Sequence, residues 1–245
     1  MKAMIFAAGL GTRLRPLTDT MPKALVPYRG TPMLGLLLGK LKDAGFHDVV
    51  INVFHFPDQI IDYVQNNDCF GMDVSFSDET GLLRDTGGGL RLAAPLLNDG
   101  EPVLCHNVDI ISNLDIRNFY AEACGLMNDG KGNILSVPLA GIRETARYLL
   151  FDKEMYLIGW ENIKTGEFKA QGGKHFDPML EVRPLAFSGI QVVSPKIFAA
   201  MADFPEKFSI MDFYLSETAS GKIRGIEKDD LELADIGTVE HLGKI

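Results

Sequence analysis

The stretch KAMIFAAGLGTRLRPLT, residues 2–18, decides the fold of this 245-residue chain. Residues 3–8 form a short, continuous apolar run, which is typical of a strand buried on both faces of a sheet. Gly9 and Gly11 then let the backbone turn sharply and point its N–H groups at an anion. Arg13 adds a planar cation that binds phosphate oxygens through two donors. The stretch predicts a buried strand followed by a phosphate-binding loop.

Three interpretations of this loop compete. A dinucleotide-binding fingerprint needs glycine where Leu14 stands, and a carboxylate at the end of the next strand, where the sequence has residues 52–54, Asn-Val-Phe. A P-loop needs Gly-Lys-Ser/Thr after four residues, and the sequence lacks it. An ordinary tight turn is the plain alternative for two glycines taken alone.

Strand and helix patterns alternate along the first 138 residues. Thr31-Pro32 predicts the start of a helix over 33–44, and Gly45 predicts its end. Further predicted strands are 49–53, 72–76, 102–106 and 134–138, and further predicted helices are 57–65, 86–92 and 115–127. This alternation predicts an α/β fold with a Rossmann-like mixed, mostly parallel sheet flanked by helices.

The pattern changes after about residue 140. We expect a hairpin of strands 148–151 and 155–160, a weakly structured segment at 161–178, and a strand at 185–193. Helices near 195–201 and 209–220, a strand at 222–227 and a last helix after Thr238 complete the prediction. The chain has no linker rich in Pro, Ser or Gly, so we expect one domain over residues 1–245.

The composition excludes several classes of partner. The net charge is −9, which disfavours nucleic acid and anionic membranes as ligands. The three cysteines form no CxxC pair, and their odd number argues against a disulfide framework, so a reducing compartment fits best. The apolar run at the N-terminus is too short for a signal peptide or a membrane span. We expect a cytoplasmic protein.

Two aspartates stand where a ligand of the sheet would bind. Asp109 ends an apolar strand, and Asp235 precedes Ile236-Gly237-Thr238. Either aspartate alone is more often a turn or helix-capping residue. The five histidines show no metal-binding spacing. His106 lies in a predicted strand, so we interpret it as a core residue.

Residues 9–18, followed by Pro22-Lys23, Leu25 and Pro27, resemble the signature of the sugar-phosphate nucleotidyltransferase family. The segments Asn107–Asp109 and Asp235–Thr238 resemble the two metal-binding segments of that family. The resemblance covers most of the chain and is strongest at 1–35, 77–110, 185–193 and 233–242. Within the family, the chain looks most like the N-acetylmuramate-1-phosphate uridylyltransferases.

This resemblance implies a reaction. The family transfers a nucleoside monophosphate from an NTP, here with UTP favoured, to a sugar 1-phosphate, releasing pyrophosphate with Mg²⁺ as cofactor. It implies a nucleotide-binding half at about 1–138 and an acceptor-binding half at about 139–245. The sequence leaves open whether identical chains associate into an oligomer.

The resemblance also implies a role for individual residues. The catalytic residues would be Arg13, Lys23 and Asp109, and the metal ligands would be Asp109 and Asp235. The nucleotide would be held by Ala8, Gly9, Gly11, Thr12, Ser77, Thr86, Gly87 and Gly88. The acceptor would be held by Asn107, Glu161, Ser188 and Gly189.

One departure from the family pattern keeps alternatives open. The family has glycine or a small residue where Val108 stands, which puts the acceptor in doubt. One alternative is a regulatory module that binds a nucleotide without turnover. Another is cytidylyl transfer to a phosphocholine-like acceptor, for which Trp160, Tyr148 and Tyr156 are a thin aromatic basis.

Overall fold

Strand β1 (Lys2–Phe6) lies inside a mixed sheet in the computed structural model, which describes residues 1–128, 133–170, 181–218 and 220–238. The side chains of β1 alternate between two cores. Ala3 and Ile5 pack on one face of the sheet, and Met4 packs on the other. A strand buried on both faces needs a continuous apolar run, and residues 3–8 supply it.

The sheet confirms the predicted fold class. The strands besides β1 are β2 (Pro27–Tyr28), β3 (Thr31–Pro32), β4 (Asp48–Val53), β5 (Asp73–Asp78), β6 (Val103–Asn107), β7 (Ile110–Ser112), β8 (Ser136–Gly141), β9 (Arg147–Phe151), β10 (Leu157–Asn162), β11 (Glu167–Ala170), β12 (Arg183–Val193), β13 (Ile226–Glu227) and β14 (Leu233–Asp235). The main strand order of the sheet is β11-β10-β9-β12-β6-β1-β4-β5, with β8 beside β12 and β13 beside β8. Strand β1 runs parallel to β4 and β6, whereas β12 runs antiparallel to β6, β8 and β9.

Helices cover both faces of the sheet. They are α1 (Met33–Asp43), α2 (Pro57–Asn66), α3 (Asp85–Leu92), α4 (Ala94–Leu97), α5 (Ile116–Met127), α6 (Lys196–Ala200) and α7 (Ile210–Ser216). Helices α1, α2 and α5 pack on the face that holds Ala3, and α3, α4, α6 and α7 pack on the face that holds Met4. Within the described ranges, no helix has the length and apolar character needed to cross a membrane.

Three details differ from the sequence prediction. Thr31 does not cap α1, because it pairs with Tyr28 in the short β2–β3 hairpin, and Pro32 stands at the N-cap. The segment 161–178 contains β11, a four-residue strand of alternating charged and apolar side chains whose backbone pairs with β10. The strand predicted at 222–227 is confined to β13. Residues 171–178 and the last predicted helix lie outside the described residues.

Candidate active site

A cleft of about 420 Å³ opens at the carboxyl ends of β1, β4 and β6. Ligands of open α/β sheets bind at this end of the strands, and the volume is typical of a small-molecule site. The cleft is lined by Phe6, Ala8, Gly9, Arg13, Lys23, Asn52, Glu79, Leu83, Asp85, Thr86, Asn107, Val108, Asp109 and Lys207.

The glycine-rich loop that borders the cleft is folded tightly on itself. Gly11 has φ +63°, in the left-handed region, and a Cβ there would lie 2.8 Å from Thr18 Cγ2 and 3.0 Å from Lys23 Cβ. The Thr18 hydroxyl donates to the Gly11 carbonyl at 2.9 Å. Gly11 does not line the cleft, so its contribution is the loop shape that brings Lys23 to it.

A buried polar bridge joins the end of β1 to the segment before α3. Asn52 Oδ1 accepts from the backbone N–H groups of Ala7 at 2.7 Å and Ala8 at 3.2 Å. Asn52 Nδ2 donates to Glu79 Oε1 at 2.7 Å, and Glu79 Oε2 accepts from the Arg84 N–H at 2.8 Å. Glu79 is fully buried. The bridge therefore fixes the positions of two cleft walls and satisfies a buried carboxylate.

The two predicted metal-binding aspartates come together at the floor of the cleft, which Asp109 lines and which Asp235 adjoins without being among its lining residues. Strand β14 pairs with β7, which sets Asp235 opposite Ile110, and the Ile236 N–H donates to the Asp109 carbonyl at 3.0 Å. A Cβ built on Gly237 would lie 2.8 Å from Asp109 Oδ2 and 2.9 Å from Asp235 Oδ1. Any larger residue at 237 would crowd both carboxylates.

Two cations share this floor with the carboxylates. Lys23 forms an ion pair with Asp109, and the two side chains are only 14% and 11% exposed. Arg13 Nη2 lies 3.1 Å from the Cβ position of Gly237. The floor thus combines two carboxylates that can hold a metal with two cations that can hold phosphate oxygens.

The donor set fits Mg²⁺. In the part of the chain that the structure describes, no three side chains of His, Cys, Asp or Glu converge into a complete metal site. Mg²⁺ needs no such group, because it binds through one or two carboxylates and takes its other ligands from water and substrate phosphates. Zn²⁺ in a structural site would need Cys or His ligands, and neither Asp109 nor Asp235 supplies them.

The glycines at the start of α3, predicted to hold the nucleotide, make close contact with another segment of the chain. The N–H groups of Gly87 and Gly88 donate to the Phe208 carbonyl at 3.0 and 3.1 Å. A Cβ on Gly87 would lie 2.4 Å from Phe208 Cε2, and one on Gly88 would lie 2.5 Å from the Glu206 carbonyl oxygen. These glycines therefore admit the segment 205–208, and neither of them lines the cleft.

That segment delivers a cation that the sequence pattern did not reveal. Lys207 lines the cleft, and the neighbouring Glu206 pairs with Arg84 at 2.6 Å. A lysine in a polar loop carries no sequence signal, so only the contact with α3 identifies it. Asn52 and Glu79 were missed as well, although a polar residue ending an apolar strand is a usable signal.

The predicted acceptor residues are dispersed. Asn107 lines the cleft, and Gly189 lines an adjoining cavity of about 190 Å³ that also borders on Asn107 and Thr86. Ser188 is buried, and its hydroxyl donates to the Leu139 carbonyl at 2.8 Å. Glu161 lies on β10, away from both cavities.

The predicted nucleotide residues divide into two groups. Ala8, Gly9 and Thr86 line the cleft, whereas Thr12 and Ser77 do not. Ser77 is buried within β5, opposite Asn52 on β4.

Comparison with known proteins finds N-acetylmuramate alpha-1-phosphate uridylyltransferases among the relatives of this chain. The N-acetylmuramate alpha-1-phosphate uridylyltransferase of Neisseria meningitidis is 41% identical over 126 residues, covering 51% of this chain and 54% of the relative. The protein of the same name from Caulobacter vibrioides is 29% identical over 231 residues, covering 94% of this chain and 89% of the relative.

Solved structures share the fold of this chain. The crystal structure of HddC from Yersinia pseudotuberculosis complexed with GMP-PN superimposes with a TM-score of 0.75 at 22% identity, covering 99% of this chain and 96% of the other. The family described as nucleotidyl transferase matches residues 2–140 of the chain, which hold the glycine-rich loop, Lys23 and Asp109. This chain belongs to the nucleotidyl transferase family.

Proposed function

We propose that this chain transfers a nucleoside monophosphate from an NTP to a sugar 1-phosphate and releases pyrophosphate. The observation that carries the proposal is the cleft floor, where Lys23, Arg13 and Asp109 line the cleft and Asp235 lies next to Asp109. UTP is the proposed donor and an N-acetylmuramate-like 1-phosphate the proposed acceptor, because two relatives are named as uridylyltransferases for that sugar.

The proposed reaction needs alignment and charge neutralisation more than proton transfer. A sugar 1-phosphate is already an anion, so its oxygen can attack the α-phosphorus without a general base. The new P–O bond forms as the bond between the α-phosphorus and the bridging oxygen breaks, and that oxygen leaves with pyrophosphate. Arg13 and the loop would hold the β- and γ-phosphates, and Lys23 would hold the acceptor beside the α-phosphate.

Asp109 and Asp235 would hold Mg²⁺. When bound, the metal supplies charge neutralisation at the phosphate oxygens as a Lewis acid. Lys23 already offsets the charge of Asp109, so the two carboxylates can lie close together before substrate binds.

The proposal also assigns the two halves of the chain. Most residues that line the cleft come from the first 138 residues, which supports a nucleotide-binding half there. The adjoining cavity is lined partly by Phe187, Gly189 and Gln191 of β12, which supports an acceptor-binding half at 139–245. A cytoplasmic setting in nucleotide-sugar and cell-wall synthesis is part of this proposal, and the three free thiols are consistent with it.

The decisive experiment combines a substrate panel with one variant. We expect Mg²⁺-dependent pyrophosphate release from UTP and one sugar 1-phosphate, and its loss in EDTA. Asp109→Asn should lower kcat by roughly 100-fold or more, because it removes charge where the transition state needs it. The control is Asp78→Asn, which alters an exposed carboxylate outside the cleft.

Two outcomes would overturn the proposal. Near-normal turnover by a folded Asp109→Asn enzyme would remove the metal role. UTP binding without pyrophosphate release from any sugar phosphate would favour the nucleotide-binding regulatory module.

A further inference from the structure

A second cavity lies on the α1 side of β6 and β7, separate from the cleft. Its volume is about 260 Å³. His106 lines this cavity and Asn107 lines the cleft, and successive side chains of a strand point to opposite faces. The cavity is lined by Tyr28, Arg29, Leu36, Leu37, Lys40, His106, Ile110, Ile111 and Ser112.

The lining of this cavity is apolar with positive charge. Four aliphatic side chains from α1 and from residues 110–111 form its walls. Arg29 and Lys40 are its charged groups, and no Asp or Glu is found among the described residues that line it. The chain as a whole carries a net charge of −9, so a cavity whose charged lining residues are both cations departs from the general composition.

Lys40 is held in the cavity by neutral groups. Its Nζ donates to the Ser112 carbonyl at 2.6 Å and lies 3.4 Å from the Ser112 hydroxyl. Burial lowers the pKa of Lys40, and the charge of Asp115 opposes this only in part. A half-buried ammonium that forms no ion pair with a carboxylate in the described structure is stabilised when an anion binds beside it.

The other two polar groups define the rest of the site. Burial lowers the pKa of His106 to about 4, so its ring is neutral near pH 7 and adds no charge. Arg29 is exposed at the mouth, and its guanidinium carbon lies 5.4 Å from the Tyr28 ring centroid. The cavity thus has a cation at its rim and another beside β7.

We propose that this cavity binds an organic anion with an apolar body. The anionic group would pair with Lys40 and Arg29, and the apolar part would lie against Leu36, Leu37 and Ile110. The occupant would contact β7, which directly follows Asp109 in the chain. Strand β7 also pairs with β14, the strand that carries Asp235. A ligand in this cavity would therefore contact a strand that adjoins both predicted metal-binding aspartates.

The test uses 8-anilinonaphthalene-1-sulfonate, an aromatic anion whose fluorescence rises in apolar sites. Binding is titrated on the full chain with UTP and Mg²⁺ in excess, so that the cleft is occupied. We expect Arg29→Gln and Lys40→Met to raise the Kd roughly tenfold each. Lys42→Met is the matched control, since it removes the same charge from the same region of the chain but outside the cavity.

The outcomes are distinct. Absence of probe binding while UTP occupies the cleft, or an equal Kd in all four proteins, would overturn the proposal. Arg29 is exposed, so its variant folds even if Lys40→Met, which loses the contact with Ser112, does not. The titration measures binding alone, so its failure leaves the proposed reaction unaffected.

Discussion

Lys23 reaches the cleft floor from a short 3₁₀ turn, residues 23–25, and forms an ion pair with Asp109. Both side chains are largely shielded from water, so each charge depends on the other for compensation. An arriving phosphate and metal ion would exchange this pairing for two new ones, phosphate with Lys23 and metal with Asp109. In the proposed reaction, Lys23 and Asp109 would therefore each have an opposite charge nearby before and after substrate binds.

Lys207 gives a prediction at the same scale. It lines the cleft from the segment that packs on α3. Lys207→Gln should raise the KM for the NTP by about tenfold with a smaller change in kcat, because it removes a charge-assisted phosphate contact made in ground and transition states alike. Steady-state kinetics measures both constants.

Lys228→Gln is the control for Lys207, since Lys228 pairs with Glu122 outside the cleft. An unchanged KM for the NTP in Lys207→Gln would show that this lysine faces solvent in the working enzyme. A raised KM for the sugar phosphate alone would move Lys207 to the acceptor side.

Single residues were predictable where a motif fixes them and not elsewhere. Arg13, Lys23 and Asp109 stand in local patterns, and the structure brings them to one cleft. Ser188 stands in a pattern as well, but its hydroxyl is already bonded to the Leu139 carbonyl. A motif identifies a residue type and position, whereas its hydrogen-bond partner depends on strands that are distant in sequence.

At the level of elements, the start of α3 is built around close backbone contact. The segment 205–208 packs so tightly on Gly87 and Gly88 that a methyl group has no room. We expect Gly88→Ala to lower the free energy of unfolding by about 1–3 kcal/mol, because overpacking forces the backbone to shift. Urea unfolding measures the change.

A glycine in α1 supplies the opposite expectation. A Cβ on Gly39 meets nothing within 4 Å, and its φ is not in the left-handed region. Gly39→Ala should therefore raise the free energy of unfolding by about 0.4–1 kcal/mol, through lower entropy of the unfolded chain. Equal effects of the two substitutions would show that helix propensity, rather than packing, governs the start of α3.

Element prediction succeeded where burial creates a period and failed where pairing alone creates structure. Strands β1, β4 and β6 contain the continuous apolar runs 3–6, 49–51 and 103–105, so their sequences show them. Strand β11 alternates charged and apolar side chains over only four residues, and it forms through backbone pairing with β10, which the sequence does not display. Thr31 matched the pattern of a helix N-cap, but in the structure it pairs with Tyr28 in the β2–β3 hairpin.

For the whole molecule, His106 makes stability depend on pH. Its folded pKa of about 4 lies below the unfolded value of 6.5, chiefly because the ring is buried. The unfolded chain therefore binds the proton more tightly, and acid favours unfolding. Stability is full above pH 6.5 and falls as the pH drops towards 4, by up to about 3 kcal/mol for this group.

The variant His106→Gln should remove this contribution. Urea unfolding at several pH values between 4 and 6.5 should give a flatter curve for the variant than for the wild type. His47→Gln changes an exposed histidine and should leave the slope unaltered. Parallel curves for wild type and His106→Gln would contradict the neutral buried ring.

The fold class of the whole molecule could be predicted from the sequence, whereas the pairing of individual short strands could not. Alternating patterns indicated a sheet with helices on both faces, and this is what the two cores form. The pairing of β7 with β14 could not be predicted, because strands of three residues are too short to show a period. That pairing is what unites the two aspartates.

The β7–β14 pair also joins two aspartates that are synthesised at different times. A ribosome makes the chain from its N-terminus, so the glycine-rich loop, Lys23 and Asp109 are complete while residues up to 234 are still being added. A nascent chain therefore contains the first of the two carboxylates long before the second exists. The pair is complete only with the late strand that carries Asp235, after almost all of the sheet has been synthesised.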